Sequence, residues 1–333
     1  MTIFELLYYA GYSIKRRLAL RRQRRLPHKV ISVGNLTLGG TGKTPATIAI
    51  AEEALRRGFS PVILTRGYRG KARGPCFVSR GDGPEMSADD AGDEPVLIAE
   101  RLPRVPVVKS PDRYAGGLFA LQHLQPEQPV VFILDDGFQH IALHRDRDVV
   151  LLDGSNPFGN GRLFPMGPLR EPICGLRRSD VIVVTKSRNE NVVRQLVAVA
   201  PGVPIHFSRY VTRELRDAAG GRFPADLLKD KNVLAFCGIA GPDSFRATAA
   251  GLCGDVVLFR AFRDHYRYSR EIIDELLMQR RKYRCNAMLT TEKDMVKLAE
   301  LGSFPDLFCV VIGFDVDKVF YDEVFMEEAA LGT

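Results

Sequence analysis

Short runs of continuous apolar, mostly β-branched residues recur along the chain, and segments of helical character separate them. Lys29-Val30-Ile31-Ser32-Val33, Val62-Ile63-Leu64-Thr65, Val105-Pro106-Val107-Val108, Val130-Val131-Phe132-Ile133-Leu134, Val149-Val150-Leu151-Leu152 and Val181-Ile182-Val183-Val184 each read as a strand. Uninterrupted apolar strands alternating with helices predict a parallel sheet covered on both faces. Pro106 has no amide donor, which shortens its strand or places it at an edge. Beyond residues 217–222, rich in Gly, Ala and Asp, a second series begins: Val233-Leu234-Ala235-Phe236, Val256-Val257-Leu258-Phe259, Ala287-Met288-Leu289-Thr290 and Phe308-Cys309-Val310-Val311. This predicts a smaller α/β unit, with residues 209–215 and 312–316 as candidates for a connecting ribbon. The expected organisation is an N-terminal segment over 1–28, a core domain over 29–208 and a C-terminal α/β domain over 209–333.

The first 20 residues predict one helix, weakened by Gly11, with Ile3, Phe4, Leu7, Tyr8 and Ile14 roughly on one side and Tyr8, Tyr9 and Tyr12 adding amphipathic rings. Basic residues follow at once. Residues 1–29 hold Lys15, Arg16, Arg17, Arg21, Arg22, Arg24, Arg25 and Lys29 against Glu5, which accounts for the whole net charge of +7. The rest of the chain balances, which argues against a nucleic-acid-binding body and for one local electrostatic contact. Apolar and aromatic residues beside a cationic cluster describe a helix lying on an anionic leaflet; a core-packed first helix with a solvated basic end is the other reading. The apolar stretch precedes the charges and no small-residue cleavage site follows, so the segment is not read as a signal peptide. No run approaches the roughly 18 apolar residues of a membrane span.

With 333 residues, 45% of them hydrophobic, the chain has enough apolar material for a substantial core. Its six cysteines are scattered without a C-x-x-C pair, a pattern that suits reduced thiols better than a disulfide framework or a zinc site.

Gly34-Asn35-Leu36-Thr37-Leu38-Gly39-Gly40-Thr41-Gly42-Lys43-Thr44-Pro45 follows the first strand and precedes a helical segment over 46–57. Closely spaced glycines let successive backbone N–H groups turn towards phosphate oxygens. Lys43 then reaches the β/γ-phosphates and the Thr44 hydroxyl reaches Mg²⁺, while the helix start faces the phosphates. Thr37 stands where the usual G-x-x-x-x-G-K-[ST] pattern has its first glycine. The expected nucleotide site is Thr37, Leu38, Gly39, Gly40, Thr41, Gly42, Lys43 and Thr44, on a P-loop NTPase-like α/β fold.

Asp135-Asp136-Gly137-Phe138-Gln139-His140 follows the apolar run ending at Leu134, and an acid at the end of a buried strand is how P-loop enzymes hold Mg²⁺. Asp89-Asp90-Ala91-Gly92-Asp93-Glu94-Pro95 is a second acidic cluster, which by itself reads more readily as a capped helix start than as a catalytic site. Asp264-His265-Tyr266 is structural or catalytic depending on whether the fold brings it to an acid.

With these pieces in order, the sequence resembles the tetraacyldisaccharide 4'-kinase family over nearly its whole length. The resemblance rests on the loop, on Thr65-Arg66-Gly67-Tyr68, Gly92-Asp93-Glu94-Pro95 and the Asp135-to-His140 block. It continues through Gly167-Pro168-Leu169-Arg170-Glu171-Pro172, Cys237-Gly238-Ile239-Ala240-Gly241-Pro242, Asp264-His265-Tyr266 and Thr290-Thr291-Glu292-Lys293-Asp294. Thr37 fits the family's own loop. The family often has a second His where this chain has Tyr266, so only His265 can inherit a histidine role. The resemblance implies a peripheral enzyme on the cytoplasmic face of the bacterial inner membrane. Such an enzyme uses MgATP to phosphorylate the 4'-hydroxyl of a tetraacylated disaccharide 1-phosphate in lipid A biosynthesis, and needs no obligate protein partner. It also implies Asp93 as general base assisted by His265, with Lys43 on the phosphates. Thr44, Glu94, Asp135 and Asp136 would serve the metal, and Gln139, His140 and Arg170 would line the substrate site.

Two other readings compete. A soluble P-loop kinase of a small metabolite leaves the basic N-terminus without purpose. A membrane-associated P-loop ATPase switch tends to carry a lysine where this chain has Leu38, and a regulatory GTPase expects an Asp that Thr185-Lys186-Ser187-Arg188 lacks.

Overall fold

The computed structural model describes residues 2–326; Met1, at the head of the expected first helix, and residues 327–333, at the end of the expected C-terminal domain, lie outside them. The first half contains α1 (Ile3–Arg21), β1 (Lys29–Asn35), α2 (Lys43–Arg56), β2 (Ser60–Thr65), β3 (Cys76–Ser79), α3 (Ala88–Ala91) and α4 (Asp93–Arg101). It continues with β4 (Val107–Lys109), α5 (Arg113–His123), β5 (Val130–Asp135), β6 (Arg147–Asp153), β7 (Val181–Thr185) and α6 (Glu190–Val199). The second half contains β8 (Ile205–Asp217), β9 (Arg222–Phe223), β10 (Asn232–Cys237), α7 (Pro242–Leu252), β11 (Asp255–Ala261) and α8 (Arg270–Lys282). It ends with β12 (Ala287–Thr291), α9 (Glu292–Ala299), β13 (Leu307–Asp315) and α10 (Lys318–Phe325). Pairing on β4 starts after Pro106, whose carbonyl still accepts from the Ile63 amide at 2.9 Å.

Among the described residues the strands form one mixed sheet in the order β11-β10-β12-β13-β8-β7-β6-β1-β5-β2-β4-β3, with β9 beside β8. Successive residues of a strand face opposite sides, and the core divides accordingly. Ile31, Val33, Ile133, Val149 and Leu151 pack with Ile50 of α2, Ile98 of α4 and Phe320 of α10. Val30, Phe132 and Leu134 pack with Ala120 of α5, while Val150, Leu152 and Ile182 pack with Val192 and Leu196 of α6. In the second half, Val233, Ala235 and Cys237 meet Phe245 of α7, and Leu234 and Phe236 meet Ile273 of α8 and Met295 of α9.

β8 belongs to both halves. Ile205–Ser208 pair in parallel with β7, and from Arg209 to Asp217 the same strand pairs antiparallel with β13. The last helix returns across this junction: Phe320, Val324 and Phe325 lie in the first half's core, and Lys29 Nζ donates to the Phe325 carbonyl at 2.9 Å.

α1 touches the body along one narrow edge. Glu5 pairs with Arg162 at 2.9 Å, Tyr8 Oη donates to the Arg170 carbonyl at 2.8 Å, and Tyr12 Oη donates to Glu171 Oε2 at 2.8 Å. Tyr8 therefore faces the protein and not the apolar side expected for it. Ile3, Phe4, Leu6, Leu7, Ile14 and Leu18 remain exposed, so the core-packed reading of this helix does not hold.

Gly34 lies near the end of β1, where the Asp135-to-His140 turn crosses it. A Cβ there would lie 2.5 Å from Phe138 Cβ and 2.7 Å from Phe138 N. Gly34→Ala is expected to destabilise the protein by about 1–3 kcal/mol, the usual cost of overpacking, measured as a lower urea midpoint; an unchanged midpoint would show that the turn is free to move away.

Candidate active site

β1 and β5 are neighbours, with Val33 opposite Asp135. The loop leaving β1 and the acids ending β5 thus emerge side by side at the carboxyl edge of the sheet, where open α/β sheets bind ligands. Gly42 caps α2 in a left-handed conformation (φ +80°) and supplies no side-chain bond, which leaves the first amides of α2 open. Lys43 and Thr44 are the first two residues of that helix. The approach to the loop is braced by the Gly167-to-Pro172 segment: Leu38 N donates to the Pro168 carbonyl at 2.7 Å and Arg170 N to the Leu36 carbonyl at 2.8 Å. Thr37 is buried and its carbonyl accepts from Asn35 Nδ2 at 2.8 Å.

Asp136 carries φ +50°, an uncommon backbone state for a non-glycine residue. Its carboxylate receives Arg170 Nη1 at 2.9 Å on both oxygens and stands 3.6 Å from Lys43 Nζ. Burial raises its pKa, but Lys43 and Arg170 outweigh that and keep it below the usual carboxylate value. Asp135 is different. It has one side-chain hydrogen bond, from Thr47 Oγ1 at 3.2 Å. Burial first, then the charges of Glu94 and Asp136, push it up to about 7.

Gln139 Nε2 donates to the Asn35 carbonyl at 2.8 Å and to Glu171 Oε1 at 2.7 Å, while its Oε1 accepts from Arg170 at 3.3 Å. Glu171 is fully buried and also receives Arg178 at 2.6 and 2.8 Å. Gln139 and Arg170 are therefore held in a network that begins at Tyr12 and ends at Asp136. His140 has a buried, unpartnered Nε2, and burial followed by the Arg113 charge pushes its pKa down to about 4.

Asp93 is the first residue of α4, preceded by Gly92 at φ +99°. A side chain at 92 would meet the Tyr68 carbonyl at 2.7 Å, so glycine lets the Thr65-to-Tyr68 loop lie against the start of α4. Lys109 crosses beneath, buried, with Nζ on the Asp90 carbonyl at 2.5 Å. From the other half of the chain, His265 (φ +57°) places Nδ1 2.8 Å from Asp93 Oδ2 and 3.0 Å from Oδ1. The Tyr68 ring covers the imidazole at 5.7 Å between centroids. Burial raises the Asp93 pKa, but the His265 hydrogen bond and the charges of Lys293 and Lys297 outweigh it, for a net shift downwards. Tyr266 instead joins Phe262 and Tyr268 in an aromatic cluster.

Several residues of this site carry no local sequence signal. Tyr210, on β8, donates its hydroxyl to the Thr41 carbonyl at 2.7 Å, and a Cβ on Gly42 would overlap that hydroxyl. Lys293 meets Glu94 at 3.1 Å and His265 Nε2 at 3.3 Å. The Thr290-to-Asp294 motif pointed to that segment without indicating a role for its lysine.

Comparison with known proteins points to one family. The family model described as tetraacyldisaccharide-1-P 4'-kinase matches residues 1–328. The tetraacyldisaccharide 4'-kinase of Syntrophus aciditrophicus is 38% identical over 318 residues, 90% of this chain and 84% of that protein. The protein of the same description from Geobacter metallireducens is 41% identical over 284 residues, 85% of this chain and 82% of its own. A crystal structure of LpxK from Aquifex aeolicus in complex with ATP superposes with a TM-score of 0.78 at 35% identity, covering 97% of this chain and 96% of that one.

Tyr210→Phe removes the bond to Thr41 without changing the shape of the ring. A hydrogen bond of this kind contributes about 1 kcal/mol, so ATP Kd is expected to rise roughly fivefold in a calorimetric titration. An unchanged Kd would mean that β8 does not hold the loop.

Proposed function

The chain belongs to the tetraacyldisaccharide-1-P 4'-kinase family, and on that premise we propose a division of labour among its site residues. It is an ATP-dependent tetraacyldisaccharide 4'-kinase of lipid A biosynthesis. The loop from Thr37 to Thr44 takes the phosphates of ATP, with Lys43 on the developing charge. Arg170, braced by Gln139, holds Asp136, which in turn faces Lys43. Asp93 accepts the proton of the sugar 4'-hydroxyl, and His265 orients it.

The observation that carries this reading is Asp93 itself. It is a buried carboxylate at a helix start, held by a histidine 172 residues away, and its neighbour Glu94 is near enough to raise Asp135. Phosphoryl transfer asks mainly for positioning and charge neutralisation, with a carboxylate to accept the hydroxyl proton.

Mg²⁺ fits the donor set. Asp135 is a buried acid without a cation of its own, and a divalent ion beside it would restore its charged form. Among the described residues no three acids, histidines or cysteines form a ready-made cage, as expected of an ion that keeps waters and binds through one or two carboxylates plus phosphates. Asp135, with Thr44 at the start of α2 and Glu94 at the start of α4, is thus the preferred holder over the already paired Asp136. Bound there, the ion neutralises phosphate charge.

The glycolipid and α1 belong together in this reading. No helix among the described residues is long and apolar enough to cross a membrane. The exposed Ile3, Phe4, Leu7 and Ile14, with Phe164 and Met166 also exposed and Phe164 against Tyr8, form an apolar surface beside Arg16, Arg17, Arg21 and Arg22. Such a surface suits the cytoplasmic leaflet of the inner membrane, where the acyl chains of the substrate reside.

Asp93→Ala and His265→Ala are each expected to cut kcat by a factor of about 10²–10⁴ while ATP still binds, assayed with radiolabelled ATP, lipid disaccharide and lipid chromatography. The double variant should be little worse than the poorer single one, because residues acting as a unit are non-additive. Fully multiplicative losses would separate the two residues. For the membrane, neutralising Arg16, Arg17, Arg21 and Arg22 together should weaken flotation with anionic vesicles, and salt should do the same because the Debye length is about 8 Å at physiological ionic strength. Flotation indifferent to both would remove the basic cluster from membrane binding.

A further inference from the structure

His206, on β8, is buried and meets the last helix through both of its ring nitrogens. Nδ1 lies 3.1 Å from Asp317 Oδ2 and 3.2 Å from Oδ1, and Nε2 lies 2.7 Å from Glu323 Oε2. Asp317 caps α10, accepting from the Phe320 amide at 2.9 Å. The same helix presents Phe320 edge-on to the imidazole, with 5.6 Å between ring centroids. From β7, the residue paired with His206 is the apolar Val183. Among the described residues, the charged groups hydrogen-bonded to this ring are the two carboxylates, both from α10. That helix is also tied by Arg57 to Asp322 at 2.5 Å, and by Lys29 and Arg147 to its terminal carbonyls at 2.9 and 3.2 Å.

An ionised carboxylate accepts and cannot donate, whereas a neutral imidazole has one N–H and one bare nitrogen. Whichever tautomer a neutral His206 took, one lone pair would point at a carboxylate oxygen. Only the imidazolium satisfies both contacts. Burial opposes that charge, yet Glu323 and Asp317 outweigh it and hold the His206 pKa above its ordinary value. Burial likewise raises Asp317, but the His206 hydrogen bond and the Phe320 amide outweigh it, for a net shift downwards. α10 is the segment by which the chain, having built its second half, returns to the core of the first. His206 lies where β8 is still paired with β7, so its two hydrogen bonds fasten that return.

We propose that His206 is a proton-operated clamp that fastens α10 to β8, so that the docking of the last helix against the first half of the chain depends on one histidine proton. With the proton in place, both nitrogens donate to α10. When that proton leaves for solvent, the freed lone pair faces a carboxylate, and the helix keeps only its apolar contacts and its other polar ties. Because the folded-state pKa of His206 is raised, the clamp is fully engaged below the ordinary histidine value and is released as pH rises through the folded value. At the acid end it is lost as pH falls through the lowered value of Asp317. The clamp is independent of the roles proposed for the residues around the phosphate loop.

One spectrum and two variants of the full-length protein test it. With ¹⁵N-labelled histidine at neutral pH, His206 should show two protonated nitrogens. Between about pH 6 and about pH 9, amide hydrogen exchange over α10, corrected for its intrinsic pH dependence, should quicken roughly tenfold, the lower range for losing a hydrogen bond to a charged group. His206→Gln, which carries no titrating proton, should lose that dependence and exchange rapidly throughout. Glu323→Gln, whose amide can donate to a bare Nε2, should lower the midpoint of the His206 titration. A singly protonated His206 at neutral pH would overturn the proposal, and so would a pH dependence of exchange in His206→Gln equal to that of the parent. A titration midpoint unmoved in Glu323→Gln would do the same, and it decides the matter together with the spectrum should His206→Gln not fold.

Discussion

A carboxylate taken out of water stays ionised only if a cation or several donors stand beside it, and that requirement organises this site. Four acids converge at this site. Asp136 has Arg170 and Lys43, Glu94 has Lys293, and Asp93 has His265 with Lys297 behind it. Asp135 alone has no cation bonded to its carboxylate, and burial, followed by the charges of Glu94 and Asp136, raises its pKa. These partners come from α2, the segment before Pro172, the loop after β11, and α9, so the pairing is complete only when both halves of the chain are in place.

β8 makes that possible. A single strand that changes partners between Ser208 and Arg209 joins the two series of strands into one sheet, and its Tyr210 reaches back to the phosphate loop. α10 crosses the same junction to fill the first core, and Arg101 and Glu292 tie α4 to α9. Asp93 and His265 therefore come to their hydrogen bond from opposite sides of a braced junction.

The first helix is attached by a different logic. Its large apolar side chains are outside, and its polar edge is inside. Tyr12, Glu171, Gln139, Arg170 and Asp136 form a continuous series of hydrogen bonds from the helix to the acid that faces Lys43.

How much of this was legible in the sequence depends on how local each cause is. The strands from Val130 to Leu134 and from Val233 to Phe236 announce themselves by continuous apolar runs, and the loop by glycines that φ +120° at Gly39 and +80° at Gly42 require. The acids after β5 follow from the strand that precedes them. These signals arise from backbone sterics and burial within a few residues. Asp93 and His265 gave no such signal, and only the family resemblance joined them. The turning of Tyr8 inwards, the return of α10 to the first core, the Tyr210 contact and the Lys293 contact had no signature at all. Each depends on groups meeting across 28 to 296 residues, and such meetings are decided by strand order and helix packing. Local pattern determined the elements and the phosphate loop; the tertiary structure decided which cation stands beside which acid, because Coulomb and hydrogen-bond energies act over a few ångströms of space and are indifferent to distance along the chain.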